Sequence, residues 1–365
     1  MIRRFARALM CATLCAVPLA SQGAAPAAWS EKNAAAYLDA RIDWWMTWST
    51  SQRDHGTFCV SCHTAVPYAL ARPSLHSALE GRARTQMEWR LLDNVIKRVR
   101  MWAEVEPFYP DAKRGVPKTF ESRGTESVLN ALILTSYDAG GPALSRDARL
   151  ALDNMWAQQI KTGAARGAWP WLQFHNAPWE GDSQFYGTTL AAIAIGFAPG
   201  GYSSVPEIQP GLKMLREYFA REQESQFLID RVVLLWASTG VPGILTAAQQ
   251  QSIIAAALAK QRPDGGFSLS AFVGNWKRAD STALETRSDG YATGLVALAL
   301  QRAGLSPAQP QLRAAMEWLA KNQDPVEGRW LAWSLNKQRD LSTDIGHFMS
   351  DAATAYAVMA LKRTY

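Results

Sequence analysis

The feature that most restricts the fold is an internal repeat: a glutamine closes a helical stretch and is followed by a glycine-bearing turn and an aromatic residue. Gln52-Arg53-Asp54-His55-Gly56-Thr57-Phe58, Gln261-Arg262-Pro263-Asp264-Gly265-Gly266-Phe267 and Gln323-Asp324-Pro325-Val326-Glu327-Gly328-Arg329-Trp330 share the pattern, and a looser copy runs from Gln159 to Gly167-Ala168-Trp169. Each copy ends an amphipathic stretch, at residues 34–48, 261 being preceded by 247–260, 323 by 307–322 and 159 by 146–159. Ser145, Thr246 and Ser306 read as N-caps. Gln249 and Gln309 stand at capping-box spacing from the latter two, and Pro307 suits a first helical position.

Between these stretches lie apolar segments rich in small residues, at 126–135, 183–197, 227–238, 289–303 and 351–362. The segments beginning at Thr293 and Thr354 read as copies of each other. Helices apolar around most of their circumference are buried on several sides. One amphipathic and one buried helix per unit, at a period of roughly 45 to 60 residues, predicts stacked helical pairs. With no series of strands to interrupt them, the expected fold is all-α: a single α/α toroid, buried helices inside and amphipathic helices outside.

With 48% hydrophobic and 19% charged residues among 365, the chain is not a disordered one. Its 15 tryptophans are the compositional outlier. The formal charge is +6, but Arg3, Arg4 and Arg7 belong to an N-terminal segment with the marks of a secretory signal. The apolar run Ala8 to Ala20 follows them, and then small residues through Ala25-Pro26-Ala27. Residues 1–27 are therefore expected to leave, taking Cys11 and Cys15, with a single domain over 28–365. The apolar run is too short for a membrane span, and Leu14 does not suit a lipoprotein signal before Cys15. A periplasmic or secreted protein follows, with no transmembrane segment in the mature chain. No dense Lys/Arg run remains, so nucleic acid is not an expected partner. The basic stretch Arg82 to Arg100 carries Trp89, Leu92, Val95, Ile96 and Val99 at helical spacing and reads as a solvated helix face.

Cys59, Cys62 and His63, in Phe58-Cys59-Val60-Ser61-Cys62-His63-Thr64, have the spacing of a c-type haem attachment motif. Two thioethers would hold the porphyrin and His63 would ligate the iron. The expectation is covalent haem c, a redox or electron-transfer role, and a redox protein partner. Zinc on the same side chains, which would need a fourth ligand, a redox disulfide and an incidental match are the other readings. Met46, Met87, Met101, His55, His76, His175 and His347 are the side chains able to supply a sixth ligand.

The glutamine, glycine and aromatic pattern resembles the QW repeats of squalene-hopene and related terpenoid cyclases, which share a toroid with protein prenyltransferase β subunits. The likeness runs from about Ala34 to Leu361. It implies that Gln52, Gln261, Gln323, Phe58, Phe267 and Trp330 tie helix ends together. It also implies a central cavity for a hydrophobic or isoprenoid small molecule, walled by some of Trp44, Trp45, Trp48, Trp169, Trp171, Phe174, Trp179, Trp330 and Trp333. A haem-free isoprenoid enzyme and a non-catalytic ligand-binding toroid are therefore alternatives to the redox reading. The chain departs from the cyclase pattern where those enzymes carry an aspartate cluster, since Asp289 and Asp351 each stand alone. These two, with Glu126 and Asp182, read more simply as helix caps. Asp182, Phe185, Tyr186, Asp289, His347 and Asp351 are the candidate cavity residues.

Export predicts a mature N-terminus between Gly23 and Trp29. Mass spectrometry of the protein recovered outside the cytoplasm checks it, and an uncleaved cytoplasmic chain would refute it.

Overall fold

The computed structural model describes residues 29–79, 81, 83–175, 178–179 and 184–362. The expected signal, residues 1–27, lies outside the described residues. Helices follow one another in pairs: α1 (Glu31–Thr47) with α2 (Ala65–Ala71), and α3 (Gln86–Arg100) with α4 (Lys118–Asp138). Next come α5 (Arg146–Ala157) with α6 (Phe185–Phe197), and α7 (Gln209–Glu222) with α8 (Leu228–Ser238). The last pairs are α9 (Ala247–Leu258) with α10 (Gly290–Arg302), and α11 (Pro310–Lys321) with α12 (Phe348–Lys362). The even helices form a closed ring, each packing on the next and α12 returning to α2. The expected α/α toroid is the fold observed.

Burial separates the two layers as the sequence pattern requires. On α11 only Leu312, Ala315 and Leu319 are buried, one stripe at helical spacing, whereas every residue of α12 from Met349 to Ala360 is buried. The outer helices need one apolar face, and the inner ones are enclosed by neighbours on both sides.

The repeat glutamines join one outer helix to the next. Gln261 Nε2 donates to the carbonyls of Gly265 (2.8 Å) and Gln311 (2.7 Å), the latter at the start of α11. Gln159 makes the same pair of bonds to Gly167 and to Gly211 in α7. Gln323 donates to Gly328 (2.8 Å) and to Ser30 (3.0 Å), and its Oε1 accepts from Ser30 N at 2.6 Å, joining the last outer helix to the first. Gly328 has φ +78°, and a Cβ there would lie 2.3 Å from the Asn33 carbonyl oxygen, so backbone sign and space both demand glycine. The Gln52 copy differs. Its amide bonds back to its own helix at Met46 O, and α3 instead supplies Asn94, which accepts from Phe58 N (2.8 Å) and donates to Phe58 O (3.1 Å). A short antiparallel hairpin there pairs Gln52 with Phe58 and Arg53 with Thr57.

Several boundaries move from their expected places. Thr246 and Gln249 form the expected capping box, and Ser145 caps α5. Ser306 does not cap α11, which begins at Pro310. A helix starting at Pro307 would place Pro310 where a backbone N–H is needed, and proline has none. Glu126 is no cap either, because α4 begins eight residues earlier, and its buried carboxylate meets Arg98 Nε at 2.5 Å. Outer helix α7 has no counterpart among the expected segments, whereas inner helix α2 begins directly after the Cys59–His63 motif, where the repeat calls for one. Asp289 does cap α10, accepting from Ala292 N at 2.8 Å.

At Gly294 a Cβ would lie 2.7 Å from Ala357 N and 2.9 Å from the Tyr356 carbonyl carbon, both in α12, which packs against α10. Gly294→Leu should therefore lower stability by at least the about 1–3 kcal/mol typical of overpacking. Denaturant unfolding measures this, and an unchanged midpoint would contradict the close packing.

Candidate functional site

The ring has a cavity of about 210 Å³ at the end where the inner helices begin. Trp45 and Trp48 come from the end of α1, Cys62 and His63 from the turn before α2, Phe174 and Trp179 from the segment before α6, and Phe348 and Met349 from the first turn of α12. Arg53, Tyr109, Ser334, Asn336 and Arg339 complete most of the wall. The six aromatic rings are not scattered. His63 stacks on Phe348 with centroids 3.8 Å apart, meets Trp45 edge-on at 4.9 Å, and lies 5.4 Å from Trp179.

His63 is held by a hydrogen-bond chain. Thr64 Oγ1 donates its one proton to Asp351 Oδ2 at 2.7 Å, so it must accept from His63 Nδ1 at 2.9 Å. Nδ1 therefore carries the imidazole proton and Nε2 is left as an acceptor. Burial, reinforced by Arg41 and Arg339, pushes the imidazole down to about 3, so the ring is neutral across the physiological range.

Asp351 is the hub of this end of the ring rather than a helix cap. Besides Thr64 it accepts from Tyr37 Oη (2.7 Å) and Arg41 Nε (2.8 Å), while Arg41 Nη1 also reaches Asp344 at 2.7 Å. The carboxylate is 1% exposed, so its charge is carried by these donors rather than by water. It is a positioning residue for His63, not a wall of the cavity.

Deeper in the ring the phenols of Tyr186, Tyr291 and Tyr356 converge from α6, α10 and α12. Burial raises all three pKa values, that of Tyr356 to about 12, and the Tyr291 and Tyr356 rings meet edge-on with centroids 5.3 Å apart. Burial also raises two carboxyls near helix starts to about 7, those of Asp230 and Asp289. For Asp289 the backbone N–H groups of Ala292 and Leu269 pull in the opposite direction without overcoming it. His347 sits in a short turn before α12, its Nε2 2.7 Å from the Leu341 carbonyl oxygen and off the cavity wall. Asp182 lies outside the described residues.

Of the candidate site residues, then, Cys62 and His63 share the cavity, while Cys59 is buried in the core and Trp45 Nε1 donates to its carbonyl at 2.6 Å. None of the histidines and methionines considered as a sixth iron ligand lines the cavity, but Met349 does. Sequence reading also missed Arg53, Arg339 and Phe348. Arg53 stands inside the first repeat turn, and that position could have drawn notice; Arg339 lies in a loop with no periodicity.

No family model matches this chain, and no curated protein matches it. Its fold is shared with solved enzymes. The GH76A alpha-1,6-mannanase from Salegentibacter sp. HEL1_6 aligns with 90% of this chain and 100% of its own at 11% identity, with a TM-score of 0.50. An inactive variant of that enzyme in complex with alpha-1,6-mannotetrose aligns with 90% and 99% at 11% identity, with a TM-score of 0.48. At this identity the likeness establishes the toroid and nothing finer.

These findings correct the expected kinship with squalene-hopene cyclases and the haem-based redox role. The solved enzyme that shares the toroid is an alpha-1,6-mannanase and not a terpenoid cyclase. The Asp289 carboxylate is spent on capping and that of Asp351 on Arg41, so no acid cluster of the cyclase type forms. Cys59 does not face the cavity, and aromatic rings crowd His63 on several sides. A volume of about 210 Å³ is below the about 300–1,000 Å³ of sites for drug-sized ligands, and suits neither a porphyrin nor a polyprenyl chain. Among the described residues no cluster of three or more His, Cys, Asp or Glu side chains is placed to hold a metal ion. No described helix is long and apolar enough to cross a membrane.

The raised Asp289 pKa has a definite sign. A carboxyl near 7 when folded and near 3.8 when unfolded binds its proton more tightly in the native state. Its stabilisation is present at low pH and is lost as pH rises from about 4 through about 7. Asp289→Asn keeps an acceptor for the cap but removes the titration. Its melting temperature should therefore fall less than that of the native protein between pH 5 and pH 8; parallel profiles would show that Asp289 ionises normally.

Proposed function

We propose that the mouth of this toroid binds a saccharide. The observation that carries the reading is the wall of the cavity: Trp45, Trp48, Tyr109, Phe174, Trp179 and Phe348 surround a space of about 210 Å³, with Ser334, Asn336 and two arginines among them. A sugar ring has apolar C–H faces and a polar rim, and flat aromatic faces beside hydrogen-bonding groups match that two-sided surface. The volume suits one sugar unit of a chain whose remainder extends out of the mouth. The shared fold with an alpha-1,6-mannanase supports the same ligand class.

A hydrolytic reaction is the second reading. Glycoside hydrolysis uses two carboxyl groups, one of them held protonated near neutral pH. Asp230 and Asp289, both raised to about 7, stand near the starts of the adjacent inner helices α8 and α10. Neither lines the cavity, which is why recognition comes first.

Calorimetric titration with neutral and acidic oligosaccharides, including alpha-1,6-linked mannotetraose, tests the proposal. At least one should bind, and Trp179→Ala should weaken it by about 10-fold, the scale of losing a stacked, desolvated aromatic contact. Release of reducing ends, lost in Asp230→Asn, would establish hydrolysis. Failure of every saccharide to bind would refute the assignment.

A further inference from the structure

The charge on the cavity wall identifies the kind of saccharide. We infer that the ligand carries an oxyanion, a carboxylate or a phosphate, and that Arg339 and Arg53 receive it. This inference rests on the saccharide reading of the same cavity.

Arg339 lines the cavity and is half-buried, yet among the described residues no carboxylate pairs with it and no hydrogen bond engages its guanidinium. Burial lowers its pKa, and no neighbouring group among the described residues offsets that cost. The acids near it in sequence are committed elsewhere: Asp340 accepts from the backbone and hydroxyl of Ser342 (2.9 and 2.8 Å), and Asp344 pairs with Arg41. The imidazole of His63 beside it is neutral and contributes no negative charge.

Arg53 is a second cation on the same wall. Its Nη1 donates to the carbonyls of Thr50 (2.9 Å) and Gln52 (2.7 Å), and its guanidinium lies 4.9 Å from the centre of the Tyr109 ring. These contacts fix the group without neutralising it. Its Nε is buried with no hydrogen-bond partner. Among the described residues the cavity wall has no carboxylate at all, so two positive charges face an aromatic enclosure unbalanced.

Partly buried charges without partners are costly in a folded protein, and the usual compensation is a counter-charge. A ligand oxyanion supplies one. The planar guanidinium fork matches the two oxygens of a carboxylate or phosphate, and the bond is charge-assisted on both sides. A neutral oligosaccharide would leave both arginines uncompensated as it displaced water from around them. The arrangement therefore selects an acidic unit, either a hexuronic acid residue or a phosphorylated sugar.

The test is calorimetric titration of the full mature chain with trigalacturonate, mannose 6-phosphate and neutral alpha-1,6-mannotetraose, repeated on Arg339→Gln and Arg53→Gln. At least one anionic probe should bind about 10-fold or more tightly than the neutral one, as charge-assisted hydrogen bonds imply, and the advantage should shrink with added salt. Which anionic probe binds better distinguishes carboxylate from phosphate. Arg339→Gln should remove most of that advantage by weakening the anionic probe far more than the neutral one; Arg53→Gln provides the same reading should the first variant fold poorly. If mannotetraose binds as tightly as both anions, or if neither substitution alters anion affinity, the inference falls and the saccharide reading survives. If no probe binds, both fall.

Discussion

Closure of the ring is the constraint on which the other features depend. An inner helix such as α12, buried along nearly its whole length, is stable only if neighbours cover both its flanks, and for the last helix one neighbour must come from the beginning of the chain. Two polar clamps hold that seam. Gln323 bonds both the N–H and the carbonyl of Ser30, and Asp351 gathers Tyr37, Arg41 and Thr64. Lys362 adds an ion pair to Glu31 at 2.9 Å. The clamps contribute position more than energy: apolar burial drives the helices together, and the directional bonds choose the register in which they meet.

Closure also places the cavity. Cys62 and His63 precede the first inner helix, Phe348 and Met349 begin the last, and they share a wall only because α2 packs against α12. The chain from His63 through Thr64 to Asp351 crosses this seam, so the tautomer of His63 is set by a residue almost 300 positions away. Buried polar networks elsewhere do similar work. Arg98 meets Glu126, Thr57 and the Glu106 carbonyl, tying the first repeat turn to α3 and α4. Breaking such a buried pair by removing one partner typically costs about 3–5 kcal/mol, because the remaining charge is stranded.

The cavity differs in character from these networks. Around it the charges are not matched among the described residues: Arg339 and Arg53 face aromatic rings and neutral groups, while Arg41 is fully engaged by Asp344 and Asp351.

The toroid was legible in the sequence because it is written locally. Alternation of amphipathic and all-round apolar helices follows from which faces are covered, and Gln261, Gln323 and Gln159 recur because each outer helix must be joined to the next in the same way. The caps at Ser145, Thr246 and Asp289 depend on a few consecutive residues and were legible for the same reason. Where a local rule was overridden, a neighbouring residue did it, as Pro310 does by delaying the start of α11. The site was not legible in this way. Cys59, Cys62 and His63 stand together in the chain, and their spacing by itself pointed to haem; the fold turns Cys59 into the core and surrounds His63 with Trp45, Trp179 and Phe348 from three separate segments. Asp351, read as a lone cap, became the hub of the seam. The sequence by itself determined the helices and their order around a ring, because periodicity and capping are properties of neighbouring residues. Only the tertiary structure decided which side chains face the cavity and which charges go unpaired there, because both depend on contacts that form when the ends of the chain meet.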